Sequence, residues 1–452
     1  MISIVAIATP IGRSGIGVIR LSGDDVLRIT RYLVGDPQFS PEPRSAVLKQ
    51  LYDPASNEVI DEAILTYFKG PHSFTGEDIV EISCHGSPVL LRQVIDICLR
   101  LGARTAEAGE FSLRALANGR MNLAQAEAIR DLIDAQTTAS ARQAVRQLRG
   151  EFSHELQPIK DELLDVIVLL ESALEFVEDD LPDMHSVNVK KRIREIGLKI
   201  EKIASTFQAG KLIREGLRVA LVGRPNVGKS SLFNALLGSD RAIVTEIAGT
   251  TRDQINERFV VDNIPISLID TAGLRETTDL VESIGVERSK RTMSDADLII
   301  VMLDAAEDVM PEDRAILESV ADLPYIVAVN KIDKTTTAET ARFISAIEPV
   351  TMFVSAKTGE GLGALLRAIV GPFMPQDAVN SGFLVTDARH YDLLVRAGSD
   401  IDQSLDQFDQ KLSEEIILIG LHNALRYLGQ ITGETTTEDL LTRIFATFCI
   451  GK

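Results

Sequence analysis

The chain has 452 residues, 45% of them hydrophobic, enough to bury several cores, so roughly two to four domains are expected. Lysine and arginine number 47 against 66 acidic residues, a net charge of −19; this excludes a broad basic surface for wrapping nucleic acid and leaves RNA contact to a local patch or a partner. Cys84, Cys98 and Cys449 are the only cysteines, which excludes a disulfide framework or a Cys-x-x-Cys zinc site and points to a reducing compartment.

The opening run 1–10 is apolar but has no basic flank and ends at Pro10, so it reads as a first strand rather than a signal peptide. The longest apolar run, 298–303, is too short to span a membrane. A soluble, cytoplasmic protein without membrane contact is expected. Residues 1–118 read as an α/β module, with strands near 2–8, 18–21, 63–68 and 79–84 and a helix over 88–101. Residues 119–215 turn helical: Ile159, Leu163, Val166, Ile167, Leu170, Leu174 and Val177 form one stripe, and Val189, Ile193, Ile196, Ile200, Ile203 and Phe207 another. Pro158 and the acidic run 178–183 are expected to break these helices, the acidic run reading as a solvated loop rather than a metal site. Residues 216–377 alternate strand and helix, the pattern of a parallel sheet. Helical periodicity returns over 378–452, with Leu394, Ala397, Ile401, Leu405 and Phe408, then Ile417, Leu421, Leu425 and Leu428. The expected fold is therefore α/β followed by a helical bundle, with a Ras-like P-loop domain inserted into the bundle.

Between 219 and 237 an apolar run leads to Gly223, four residues, Gly228-Lys229-Ser230 and a helix-prone segment. This is the order of strand, phosphate-binding loop and helix. The glycines let N–H groups surround phosphate oxygens, the helix N-terminus adds its positive end, Lys229 reaches the β- and γ-phosphates, and Ser230 offers a hydroxyl to Mg²⁺. Downstream, Gly249-Thr-Thr-Arg-Asp253 suits a loop that closes over a nucleotide. Asp270-Thr271-Ala272-Gly273, after a strand at 266–269, places a carboxylate beside the metal and a glycine N–H at the γ-phosphate. Asn330-Lys331-Ile-Asp333 follows a strand at 325–329; the Asp333 carboxylate can accept from guanine N1–H and the 2-amino group, which adenine lacks. Such a site discriminates by about 10⁴–10⁵. Ser355-Ala356-Lys357 supplies backbone N–H to the guanine oxygen. Each motif alone also fits a plain strand-to-loop turn; their ordered co-occurrence points to GTP. Leu274 stands where many small GTPases have a water-orienting glutamine, so Arg275, Glu276 and Glu282 are candidates for that task, although on position alone each reads more readily as an ordinary surface charge. The Asn226 amide oxygen can ligate a monovalent cation that neutralises developing charge.

Beyond these motifs the chain carries Ala8-Thr-Pro-Ile-Gly-Arg-Ser-Gly-Ile-Gly17 with Arg20, Ser73-Phe-Thr-Gly-Glu-Asp78 with Glu81 and His85-Gly86, Gly109-Glu-Phe-Ser112, Asn122-Leu-Ala-Gln-Ala-Glu-Ala-Ile129 and the terminal Phe448-Cys-Ile-Gly-Lys452. With them it resembles, over essentially its whole length, the MnmE (TrmE) GTPases, which modify the wobble uridine of certain tRNAs. The resemblance implies an N-terminal folate-binding and dimerisation domain (1–118), a helical domain in two parts (119–215 and 378–452) and a GTPase domain (216–377). It implies GTP contacts from Asn226, Val227, Gly228, Lys229, Ser230, Ser231, Thr245, Glu246, Ile247, Ala248, Gly249, Thr250, Thr251, Asp270, Thr271, Ala272, Gly273, Asn330, Lys331, Asp333, Ser355, Ala356 and Lys357. Ser230 and Thr251 resemble Mg²⁺ ligands; Asn226, Thr245, Ile247 and Thr250 resemble K⁺ ligands. Glu282 corresponds to the water-orienting carboxylate, acting with Lys229 and Gly273. Hydrolysis is expected to need K⁺ and dimerisation of the GTPase domains. Arg20, Glu81, Arg120 and Lys452 resemble a site for a formyl-tetrahydrofolate; Arg120 stands where a lysine also occurs, changing the contact from a point charge to a planar fork.

The family works with an FAD-dependent partner of the MnmG (GidA) type on tRNA, adding an aminomethyl or carboxymethylaminomethyl group at uridine C5. Residues 12–17 lack the spacing of a dinucleotide fingerprint, so FAD is expected on the partner only. Cys449 is expected to be buried with Phe445 and Phe448, and His85 to be structural. Arg142, Arg146 and Arg149 read as a solvated face that can alternatively touch tRNA phosphates. A ribosome-assembly or regulatory GTPase is the alternative, disfavoured by the absence of a basic accessory domain; a mechanical membrane GTPase would need an amphipathic basic helix, and the sequence has none.

Overall fold

The computed structural model describes residues 2–175, 183–238, 256–270, 296–336, 350–373, 382–435 and 437–451. The chain divides into two units, one formed by Met1–Ile133, Val145–Gly197 and Arg396–Lys452, the other by Asp134–Ala144 and Leu198–Val395.

Period-two burial shapes the start of the first unit. Strands β1 (Ile4–Ile7), β2 (Ser14–Ser22), β3 (Ala46–Tyr52), β4 (Val59–Phe68), β5 (Ile79–Gly86) and β6 (Arg104–Thr105) lie in the order β3-β4-β5-β2-β1-β6. All neighbours are antiparallel except β1 and β6. Ile19, Leu21, Val80 and Ile82 turn to one face, where α1 (Val26–Leu33) and α2 (Pro88–Arg100) supply Ile29, Leu33, Val94 and Ile97 to the core. The alternate residues face the other way, so Arg20 lies directly opposite Glu81 across β2 and β5. Ile4, Ala6 and Ala106 pack there with Phe111 of α3 (Glu110–Ala117).

Four helices follow: α4 (Leu123–Asp134), α5 (Thr138–Leu148), α6 (Glu151–Glu175) and α7 (Asp183–Ala204). Contrary to the break expected at Pro158, α6 runs straight through it. Proline removes one intrahelical hydrogen bond and costs about 3 kcal/mol. Here Phe152, Leu156, Ile159, Leu163, Val166, Ile167 and Leu170 are buried on one stripe, at about 1.5–3 kcal/mol each, so tertiary packing outweighs the local penalty. The acidic run 178–183 falls largely outside the described residues.

The second unit holds α8 (Phe207–Glu215), β7 (Leu217–Val222), α9 (Lys229–Leu237), β8 (Asn256–Val261), β9 (Ile264–Asp270), β10 (Leu298–Asp304), α10 (Pro311–Ser319), β11 (Tyr325–Asn330), β12 (Thr351–Phe353) and α11 (Leu362–Val370). The sheet order is β12-β11-β10-β7-β9-β8, parallel throughout except for β8 against β9. Every residue of β10 is buried, as expected for a central parallel strand covered on both faces. Strand order reverses at β7, whose neighbours are β10 and β9; the crevice at the carboxyl ends of the strands there is where such sheets bind ligands. The chain leaves this sheet beside α8: Arg214 pairs with Asp387 at 2.8 Å, Phe207 stacks on Tyr391 with centroids 4.2 Å apart, and Gly210 is pressed so closely on the Val385 carbonyl that no side chain would fit.

The last helices are α12 (Ala388–Asp409), α13 (Glu414–Thr432) and α14 (Glu438–Phe445). Within the first unit α13 lies antiparallel to α6, tied by Lys160 to Glu434 at 2.6 Å and by His422 to Glu171 at 3.0 Å. Helices from before and after the inserted sheet thus form one bundle. Phe445 and Phe448 pack with Leu123 and Ala126, and Ile450 bridges to Ala108, which returns the chain end to the N-terminal sheet.

Candidate functional site

The loop after β7 has the geometry its sequence predicts. Gly228 caps α9 at φ 98°, and a Cβ there would run into Asn330 Nδ2. Asn226 also occupies the left-handed region, φ 65°. Such turns form the backbone nests that bind anions at a helix N-terminus. Lys229 Nζ donates to the carbonyls of Gly223 and Arg224, both at 2.7 Å, which holds the ammonium at the loop. Ser230 and Ser231 are exposed on the first turn of α9.

The end of β11 ties this loop to the base-recognition segment. Asn330, 2% exposed, donates from Nδ2 to the Val227 carbonyl at 2.9 Å and accepts at Oδ1 from the Ala356 N–H at 3.0 Å. Of the 355–357 backbone N–H groups expected to serve a guanine oxygen, that of Ala356 is engaged with Asn330. Lys331 donates to the Asn226 carbonyl at 2.7 Å and to Asp304 at 2.5 Å. Asp333 is exposed and accepts the Ser355 hydroxyl at 2.7 Å, while Ser355 Oγ accepts the Thr358 N–H at 3.1 Å. The hydroxyl, with help from Lys357 and Lys334, holds the Asp333 carboxyl below its ordinary value, so it stays an acceptor. Asp304 escaped the sequence reading; a lone carboxylate closing an otherwise apolar strand was its only signal.

Thr245, Glu246, Ile247, Ala248, Gly249, Thr250, Thr251, Thr271, Ala272, Gly273, Arg275, Glu276, Glu282 and Lys452 lie outside the described residues, and Asp270 is described only as the backbone end of β9. Of the expected nucleotide residues, the structure brings together Asn226 to Ser231, Asn330, Lys331, Asp333 and Ser355 to Lys357.

A second constellation lies in the first unit. Arg20 donates from Nε and Nη2 to Glu81 Oε1 at 2.9 and 2.7 Å, and from Nη1 to the Gly451 carbonyl at 3.3 Å. Its guanidinium stands 5.5 and 5.8 Å from the Phe74 and Phe111 ring centroids. Arg120 is exposed beside Gly76. Behind this cluster Arg114 and Glu77 form a buried pair at 2.8 Å, with Ser22 donating to Glu77 at 2.8 Å; Glu77 belongs to the 73–78 motif, but no sequence signal marked Arg114 as its partner.

Burial pushes the Cys84 thiol up to about 11 and the Cys98 thiol to about 12, which makes both unreactive. Cys449 is exposed, correcting the expectation of burial: Phe445 and Phe448 take the inward positions and the next residue turns outward. His85 is exposed and pairs with Asp61 at 2.7 Å. Arg142 and Arg149 are exposed, and Arg146 lies 3.9 Å from Glu151. Among the described residues there is no cluster of His, Cys, Asp and Glu able to hold a metal and no helix long and apolar enough to cross a membrane.

Comparison with known proteins gives the family of the chain. Residues 3–120 match a family described as the GTP-binding protein TrmE N-terminus, and residues 123–449 match the MnmE helical domain. The tRNA modification GTPase MnmE of Aquifex aeolicus is 44% identical over 453 residues, covering 99% of each chain. The chain belongs to the MnmE family. The MnmE proteins of Alkaliphilus metalliredigens and Koribacter versatilis are each 42% identical over 100% of this chain and 99% of theirs. As in a family of GTPases, the inserted unit is a P-loop G domain. Among solved structures, the G domain of the T. maritima FeoB iron transporter is 32% identical and covers 34% of this chain and 97% of its own, with a TM-score of 0.27; Aquifex aeolicus Era is 29% identical over 41% and 66%, with a TM-score of 0.30. At such scores the superpositions add nothing to the MnmE assignment, which rests on the full-length similarity.

Proposed function

We propose that this chain is the GTP-hydrolysing component of a tRNA-modifying complex. With an FAD-dependent partner of the MnmG type it installs an aminomethyl or carboxymethylaminomethyl group at C5 of the wobble uridine. The observation that carries this reading is the similarity over the full length to proteins named tRNA modification GTPases. A phosphate-binding loop joined through Asn330 to an open Asp333 carboxylate supports it. Asp333 selects guanine because an adenine would leave the carboxylate unpaired.

Lys229 neutralises charge on the β- and γ-phosphates, and the N-terminus of α9 faces the same anion. Ser230 and Thr251 would hold Mg²⁺, which when bound draws charge from the phosphate oxygens. Asn226, exposed and pinned through its carbonyl by Lys331, would hold K⁺ with Thr245, Ile247 and Thr250, completed by dimerisation. Glu282 orients the attacking water in place of the missing glutamine, and the Gly273 N–H meets the γ-phosphate. In the N-terminal unit Arg20, Glu81, Arg120 and Lys452 would hold a formyl-tetrahydrofolate, the one-carbon source. A guanidinium over two aromatic rings beside a carboxylate fits a flat heterocycle with N–H donors and an anionic tail. Mass spectrometry of tRNA from cells lacking the protein tests the reading: the C5 substituent should vanish from the wobble uridine, and an unchanged nucleoside profile would refute it.

A further inference from the structure

The first variable residue of the phosphate-binding loop is attached twice. Through its main chain, the Arg224 carbonyl accepts Lys229 Nζ at 2.7 Å, beside the Gly223 carbonyl at the same distance. Through its side chain, Arg224 reaches out of the loop: Nε donates to Asp313 Oδ1 at 2.7 Å and Nη2 to Glu307 Oε2 at 3.1 Å. Asp313 is 1% exposed and sits in the first turn of α10, where its other oxygen accepts the Met310 N–H at 3.0 Å. That carboxylate is fixed by the helix it caps, and these charges hold the Arg224 proton more tightly than usual. A buried carboxylate stripped of its partner is costly, so the pair is held closed.

We infer that the Arg224–Asp313 pair is a positioning device for Lys229. The inference rests on the reading of this loop as the GTP site. To engage the β- and γ-phosphates, Lys229 must exchange loop carbonyls for phosphate oxygens, and the strength of its hold on the loop depends on where the 224 carbonyl points. Clamping the 224 side chain to the rigid end of α10 fixes that carbonyl. Arg224 and Asp313 touch no reacting atom; they act through the lysine, and more strongly on the triphosphate, where Lys229 bridges two phosphates, than on the diphosphate.

The test uses the full-length chain with Arg224→Ala, Arg224→Lys, Asp313→Asn and the double variant Arg224→Ala/Asp313→Asn. GDP and non-hydrolysable GTP affinities, kcat and KM for GTP, and melting temperature are measured. We expect Arg224→Ala and Asp313→Asn each to lower kcat by about 10- to 100-fold, the scale of a small misplacement of a catalytic group. GTP affinity should fall more than GDP affinity, Arg224→Lys should recover part of the loss, and the double variant should be no worse than the worse single. Equal losses for GDP and GTP with kcat unchanged, or additive losses in the double variant, would overturn the inference. Should Asp313→Asn fail to fold, the two Arg224 variants decide alone. A wild-type chain that hydrolyses no GTP would instead overturn the reading of the site, and this inference with it.

Discussion

Replacing Asn330 with alanine removes one side chain and two connections. The Val227 carbonyl loses its donor at 2.9 Å and the Ala356 N–H its acceptor at 3.0 Å, at a position only 2% exposed. Each backbone group left unpaired in such a place costs about 1–3 kcal/mol, so the pair is worth about 2–6 kcal/mol. The two groups belong to the phosphate loop and the base segment, so the loss divides between folding and nucleotide binding. If about 2 kcal/mol falls on folding, the melting temperature drops by about 4–8 °C for a unit of this size. If the same amount falls on binding, GDP affinity drops about 30-fold. Asn330→Asp keeps the acceptor for Ala356 but sets a carboxylate oxygen against the Val227 carbonyl, and should be no better than alanine. Differential scanning fluorimetry and titration with fluorescent GDP measure both parts. Melting within 1 °C of wild type together with affinity within about twofold would refute the reasoning that Asn330 joins the two loops.

A thiol reagent at pH 8 should titrate Cys449 rapidly in the native chain and all three cysteines after denaturation, since burial suppresses the Cys84 and Cys98 thiolates; two fast thiols in the native state would contradict this. Burial pushes the Asp387 carboxyl up, but His390 and Arg214 more than offset it and leave it well below its ordinary value of 3.8. A depressed carboxyl contributes stability above its unfolded value and loses it on acidification below that value. Asp387→Asn should therefore cost about 2 kcal/mol near neutral pH, with the gap to wild type closing below about pH 4 in melting curves; a gap independent of pH would count against the pairing. GTP turnover should be markedly faster in KCl than in NaCl at equal ionic strength, and equal rates would remove the proposed K⁺ site.

How much of this was legible in sequence follows from how locally each feature is specified. Gly228, Lys229 and Ser230 are dictated by phosphate chemistry within a few residues, so the loop and α9 are read directly. Asn330 and Asp333 were visible as a motif, but the bond from Asn330 to Ala356 was not, because it joins separate loops. The same holds for Arg224 and Asp313, 89 positions apart, with no shared pattern. Pro158 misled because its penalty is local whereas the stripe from Phe152 to Leu170 gains its energy from packing on other elements. Strand β3 went unread because its alternation is blurred at the sheet edge, with Leu48 59% exposed and Leu51 buried. Cys449 misled for the converse reason: two neighbouring phenylalanines filled the core and left it outside.

In the proposed function Asp333, whose carboxylate accepts the Ser355 hydroxyl, reads guanine. The most direct measurement compares the affinities of GTP, ATP and xanthosine triphosphate for wild type and for Asp333→Asn. The wild type should prefer GTP over ATP by at least about 10⁴-fold, and the asparagine variant should lose GTP and gain xanthosine triphosphate, whose added carbonyl accepts from the new amide. Comparable binding of ATP and GTP by the wild type, or an unaltered preference in the variant, would contradict the account.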